Sequence, residues 1–135
     1  EILNINGKRV QIFLSKNPTS FNESLRTVVA LNAKNLLLVL NDRIPDGRDV
    51  SWIWDVDFEN FSSQFKNVTI SGDRTFDMGI RIKYAEFKDF ETEENLGRAI
   101  NFALEKTSKN ETLYILPTYS AMLEVRKILT GKKIL

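Results

Sequence analysis

The sequence predicts an α/β domain with a mostly parallel sheet of about five to six strands and helices on both faces. "NLLLVLND" from Asn35 is an unbroken apolar run of strand length, as a strand buried on both faces requires. Strand-like runs alternate with stretches of helical periodicity roughly 10 to 15 residues long, the pattern of parallel strands joined by crossover helices. The 135 residues, 42% of them hydrophobic, are the size of one domain and enough to bury a core, so residues 1–135 are read as a single domain.

Each element has its own signal. "ILNINGKRVQIFLS" places apolar residues on both sides of Asn6-Gly7, a hairpin turn between a short strand and a longer one near Val10 to Leu14. Phe21, Leu25, Val28 and Val29 share one helical face, with Pro18 and Thr19 at the start. After the strand at Asn35, Phe58, Phe61 and Phe65 fall at helical spacing behind Asp57, a candidate cap. "NVTISG" reads as another buried strand. "DRTFDMGIRIKYAEF" reads as a helix with Phe76, Ile80 and Tyr84 on one stripe, followed by a weak strand near Phe87 to Phe90. "TEENLGRAINFALEKTS" predicts a helix with acids in its first turn and a lysine in its last, as the macrodipole favours. "ETLYILP" is a final strand, and "TYSAMLEVRKILTG" a final helix closed by Gly131.

Composition excludes several kinds of function. With 19 basic and 18 acidic residues the net charge is +1, so no strong field favours nucleic acid or a membrane surface. The basic tail "TGKKIL" reads as a solvated terminus. No window resembles a membrane span or a signal segment. With Glu1 as its first residue, the chain is expected to be a fragment or processed piece of something longer. There are no cysteines and no histidines, so disulfides are excluded, in keeping with the cytoplasm. The commonest zinc ligands and the commonest general base are missing, and no Ser-His-Asp or Cys-His pair can be built from these residues.

In a parallel sheet, ligands gather at the carboxyl ends of the strands. Four stretches are expected there: Ser15 to Thr19, Asn41 to Trp54, Ser71 to Arg74, and Pro117 to Ser120. No GxxxxGK[ST] or GxGxxG loop is among them. "SGDR" at Ser71 to Arg74 offers amides to an anion, or is simply a tight turn that needs glycine.

The second stretch, within "NDRIPDGRDVSWIWDVDFE", is the unusual one. Residues 41–59 hold both tryptophans and six of the 18 acidic residues: Asp42, Asp46, Asp49, Asp55, Asp57 and Glu59. Plain structural roles account for some of them. Asp46-Gly47 is a turn signal, Asp55 or Asp57 can cap a helix, and Trp52 and Trp54 share one face if the segment is extended and can pack on the core. Asp42, Arg48 and Asp49 beside two tryptophans are left over, and they read as a protein-binding surface rimmed with charge. A carboxylate presented to another protein's histidine can orient the imidazole and stabilise the imidazolium.

"LNDRIPDGRDVSWIWDVDFE" resembles the signature of the carboxy-terminal, Mur-ligase-type domain of the MurT family. "SGDRTFDMGIRIKYAEF", "YILPTYSAMLEVRKIL" and "LSKNPTSFNESL" agree with it, so the resemblance covers nearly the whole chain. It implies a Rossmann-like Mur ligase C-terminal domain. The family acts with a glutaminase, GatD, in amidating the D-glutamate α-carboxyl of lipid II to D-isoglutamine during Gram-positive cell-wall synthesis. ATP and Mg are implied for the full-length protein, with none bound by this domain alone. The ATP-gripping loop belongs to the family's central domain, which nothing here matches. The resemblance implies that GatD brings the cysteine and histidine of its triad and that Asp49, the aspartate before "VSW", is the acid. It makes Lys16 and Asn17 candidates for nucleotide contacts, and Arg48, Trp52 and Trp54 candidates for holding the glutaminase. Asn41 and Asp42 match the family motif as structural or interface residues. No metal ligands are implied. A plain docking module, in which Asp49 only tunes association, is the alternative. A free-standing small-molecule enzyme is disfavoured by the missing base and nucleotide loops.

Overall fold

The computed structural model describes residues 1–131; the last four residues of the basic tail lie outside the described residues. Six strands form one sheet: β1 (Ile2–Ile5), β2 (Lys8–Ile12), β3 (Asn35–Val39), β4 (Asn67–Ser71), β5 (Glu91–Thr92) and β6 (Thr112–Pro117). The helices are α1 (Pro18–Ala30), α2 (Thr75–Tyr84), α3 (Leu96–Lys106) and α4 (Tyr119–Thr130). The spatial order is β1-β2-β6-β3-β4-β5; only β1 runs antiparallel to its neighbour. The α/β class with helices on both faces is therefore observed.

The run in β3 explains the two layers. Leu36, Leu38 and Leu40 point into one core with Phe21, Leu25 and Val28 of α1 and Met78 and Ile82 of α2. Leu37 and Val39 point into the other, with Ala99, Ile100 and Ala103 of α3 and Ala121 and Val125 of α4. Alternation along a strand buried on both sides feeds two cores at once.

Local signals place the ends. Asn6 and Gly7 both have positive φ, 52° and 80°, as the tight β1–β2 hairpin demands. Asn17 caps α1: its Oδ1 accepts the Ser20 amide at 2.8 Å, and the Ser20 hydroxyl accepts the Asn17 amide in return. Gly131 closes α4 in the left-handed conformation.

Three expectations are corrected. Residues 58–65 form no α-helix. The β3–β4 connection is instead three 3₁₀ turns, Ile44–Asp46, Ser51–Asp55 and Phe58–Phe61. Phenylalanines three apart stack equally well on a 3₁₀ turn, and the Asp, Asn and Ser residues around them compete for backbone hydrogen bonds. The Asp57 side chain makes no cap bond. Glu93 and Glu94 precede α3, whose cap is Asn95, with Oδ1 accepting the Arg98 amide at 2.9 Å. The weak strand falls at Glu91–Thr92, just beyond Phe90.

Gly72, between β4 and α2, shows why "SGDR" needs its glycine. Its φ is +108°, and a Cβ there would sit 2.4 Å from the Leu40 carbonyl oxygen. Gly72→Ala is expected to cost at least roughly 1–3 kcal/mol of backbone strain. An unchanged midpoint in urea unfolding would count against this.

Candidate functional site

The four strand-end stretches meet, and Asn41 ties three of them together. Its amide donates to Thr118 Oγ1 at 3.0 Å, its Nδ2 to Ser120 Oγ at 3.0 Å, and its Oδ1 accepts the Asp73 amide at 2.9 Å. Buried to 2% exposure, it joins the loops after β3, β4 and β6. The fourth stretch is attached where the Ser15 amide donates to the Pro117 carbonyl at 2.9 Å.

Three of the six carboxylates of residues 42–59, those of Asp42, Asp46 and Glu59, are engaged inside the domain. Asp46 accepts the Ser120 amide at 2.8 Å as well as the Ser120 hydroxyl, pinning the first 3₁₀ turn to α4. Asp42 pairs with Arg74 at 3.1 Å, and Arg74 pairs in turn with Asp77 at 2.7 Å. Arg43 holds Asp73 at 3.0 Å and also contacts Glu124. Glu59 grips Arg81 with both oxygens, at 2.7 and 2.8 Å.

Arg81 is the residue that sequence reasoning missed. It is 1% exposed and donates Nε to the Ile53 carbonyl at 2.9 Å and Nη2 to the Val56 carbonyl at 2.5 Å. Its guanidinium lies 5.1 Å from the ring centres of both Trp54 and Phe58. One cation on α2 thus gives the Val56 carbonyl a donor and the Ile53 carbonyl a second one beside the Val56 amide at 3.3 Å. Helical spacing does not distinguish such an arginine from a solvated one. A second missed signal was legible: Val50, Ile53 and Val56, every third residue, are the buried face of the second 3₁₀ turn.

The tryptophans do not share a face. At three residues per turn, positions two apart diverge by about 240°. Trp52 is half-buried, its ring 6.1 Å from Phe21. Trp54 is 48% exposed and meets the edge of Tyr84 at 5.7 Å. Of the three residues expected to hold a partner, Arg48 and Trp54 face solvent and Trp52 supports the loop from behind.

Asp49 behaves differently from its neighbours. It is exposed, it forms no ion pair among the described residues, and its Oδ1 accepts the Ser51 amide at 2.8 Å. The Ser51 amide, then the Ser51 hydroxyl, and to a smaller extent the charge of Arg74 hold its carboxyl below the ordinary 3.8. The result is an exposed, ionised carboxylate braced by Ser51, where a donor from outside can reach it. Arg48, Asp49, Ser51, Trp54, Arg74 and Asp77 line a shallow hollow at this point. Lys16 and Asn17 are exposed at another strand end, and the Asn17 oxygen is committed to its cap. No group of His, Cys, Asp and Glu suited to a metal occurs among the described residues. No helix among them is long and apolar enough to cross a membrane.

The Glu59–Arg81 pair makes stability depend on acid. The hydrogen bond from Arg81 holds the Glu59 carboxyl below its ordinary 4.5. A depressed folded value means that its contribution is complete above pH 4.5 and is lost as pH falls through that lower value. Glu59→Gln is therefore expected to flatten the fall in unfolding temperature between about pH 5 and 3. Parallel curves for the two proteins would remove this pair from the explanation.

The fold is that of a Mur-ligase-type carboxy-terminal domain. The crystal structure of folylpolyglutamate synthase from Thermotoga maritima superposes on 99% of this chain and 31% of its own, with a TM-score of 0.62 at 21% identity. The MurT ligase C-terminal family matches residues 14–122, and the chain belongs to that family. Among its relatives is the MurT subunit of the glutamine-hydrolyzing lipid II isoglutaminyl synthase of Staphylococcus aureus. It is 40% identical over 81 residues, covering 58% of this chain and 18% of that protein. The subunit of the same name from Streptococcus pneumoniae is 32% identical over 139 aligned positions, covering 99% of this chain. The match spans 30% of the length of that relative.

Proposed function

We propose that this chain is one domain, residues 1–135, of a longer cytoplasmic MurT subunit of a lipid II isoglutaminyl synthase. In that reading the domain docks a GatD-type glutaminase and completes its catalytic triad with Asp49. The observation that carries it is the state of Asp49: exposed, ionised, braced by Ser51 and in no ion pair among the described residues. No histidine occurs in the 135 residues, so the imidazole it would orient must come from outside them. The role is to fix the tautomer and stabilise the imidazolium while a partner thiol attacks glutamine.

Amidation of the lipid II D-glutamate α-carboxyl would take place on the rest of the protein, where ATP and Mg supply activation of the acid. From this domain Lys16 would offer its ammonium and Asn17 its Nδ2 to the nucleotide, since the Asn17 oxygen is occupied. The isolated domain is expected to be inactive.

The test uses the full-length parent assembled with its glutaminase. Asp49→Asn is expected to abolish glutamine-supported amidation while ammonium salts still support it, because ammonia bypasses the glutaminase. Equal loss with both nitrogen sources would place Asp49 in the synthetase reaction instead. A simple docking role, the alternative, predicts that Asp49→Asn merely slows association.

A further inference from the structure

Asp49 stands on a short span between two anchors. Val50, the next residue, is buried with Ile53 and Val56 in the core beneath the second 3₁₀ turn. On the other side come only Gly47 and Arg48, both exposed, and then Asp46. The first 3₁₀ turn, Ile44–Asp46, buries no side chain, and Ile44 is 82% exposed. Apolar packing therefore does not fix this turn. Polar contacts do. Asp46 accepts both the amide and the hydroxyl of Ser120, at the start of α4, and its Oδ2 also accepts the Arg43 amide at 3.1 Å. Ser120 is buried, and its hydroxyl accepts Asn41 Nδ2 at 3.0 Å, so its orientation is set from the end of β3. Arg43 contacts Glu124 of α4 as well, but those side chains are 47% and 36% exposed, a setting in which an ion pair holds little.

We propose that Ser120 is a positioning residue for the glutaminase reaction: by fixing Asp46 to α4, it sets where the span places the Asp49 carboxylate. This role rests on the proposed part of Asp49 in the triad, and Ser120 acts on it only through Asp46. The Ser51 amide fixes how the Asp49 carboxylate is turned. The two anchors fix where its backbone stands. A triad acid works by holding an imidazole in one tautomer and one direction, so its place matters as much as its charge. Displacing a reacting group by about 1 Å can cost about 10²-fold in rate. Because the first turn covers no core side chain, releasing it from α4 costs the fold little and the placement of Asp49 much.

The experiment assembles the glutaminase with the full-length parent carrying Ser120→Ala, Asp46→Ala or both, and measures hydrolysis against glutamine concentration in the saturated complex. Ser120→Ala removes the hydroxyl and keeps the amide, so it is the milder change. The expected kcat falls about 10-fold for Ser120→Ala and about 100-fold for Asp46→Ala, while KM for glutamine, bound on the partner, keeps its wild-type value. The double variant should be no worse than Asp46→Ala, because the two side chains form one contact. Ammonium-supported amidation should be unchanged, and the unfolding temperature should stay within about 5 °C of the wild type. Wild-type kcat in both single variants overturns the role of Ser120 and leaves the reading of Asp49 standing. Wild-type kcat in Asp49→Asn, assayed beside them, overturns that reading and this role with it. Equal loss with glutamine and with ammonium, or a larger fall in unfolding temperature, makes the pair a support of the fold at large and also overturns its role in positioning.

Discussion

Asparagine at position 49 is expected to lower glutamine hydrolysis by the assembled complex by about 10³- to 10⁴-fold. The scale follows the loss of ~10⁴ when the aspartate of a serine protease triad becomes an amide, leaving geometry intact but the wrong histidine tautomer. Asparagine can still accept the Ser51 amide that Asp49 accepts at 2.8 Å, so the loop should keep its shape. What disappears is the charge and the choice of an acceptor facing the imidazole. The wild-type carboxyl is held below 3.8, so it is ionised wherever a histidine titrates. Any acid limb in hydrolysis above about pH 5 therefore belongs to the partner's own groups. A variant that forms the complex and hydrolyses glutamine at the wild-type rate would leave Asp49 no part in the chemistry.

Arg81→Met should be the most destabilising single change in the region, at about 3–5 kcal/mol. The Arg81 side chain is 2% exposed, and its removal takes the donor from the Val56 carbonyl and one of two donors from the Ile53 carbonyl, while Glu59 loses its partner. In a domain of this size that corresponds to a fall of roughly 10–20 °C in unfolding temperature. Glu59→Gln provides the contrast. Its side chain is 57% exposed, so water replaces much of what the arginine gave, and the cost should stay below about 1 kcal/mol. Similar losses for the two substitutions would mean that the ion pair matters and the carbonyl bonds do not. A destabilised loop also misplaces Asp49, so Arg81→Met is expected to depress hydrolysis in a complex that still assembles.

Sequence signals that are local and repeated proved legible. The apolar run from Asn35, the Asn6-Gly7 turn, the Pro18 start and the Gly131 stop each act through neighbours a few residues away, and each is found where it was expected. Together they determined the α/β class and the edge of the sheet at which Asn41, Asp49, Asp73 and Ser120 converge. Asp42, Arg48 and Asp49 stood out as residues that turns and caps left over, and it was the resemblance to the family motif that pointed to Asp49 among them.

Tertiary structure alone decided which side of each segment faces water. Phe76, Ile80 and Tyr84 carry the periodicity of a core stripe, yet Met78 and Ile82 lie on the sheet and the larger residues are left outside. Both faces of α2 are apolar, and periodicity cannot choose between two apolar faces. Trp52 and Trp54 separated because the loop winds three residues per turn, a conformation stabilised by an arginine 27 residues beyond the second tryptophan. Long-range pairs of that kind, Arg81 with the loop carbonyls and Asp46 with Ser120, leave no trace in local spacing. They hold the loop around Asp49 from residues far along the chain, so the family motif could point to the residue while its exposed setting, braced by Ser51, emerged only from the fold.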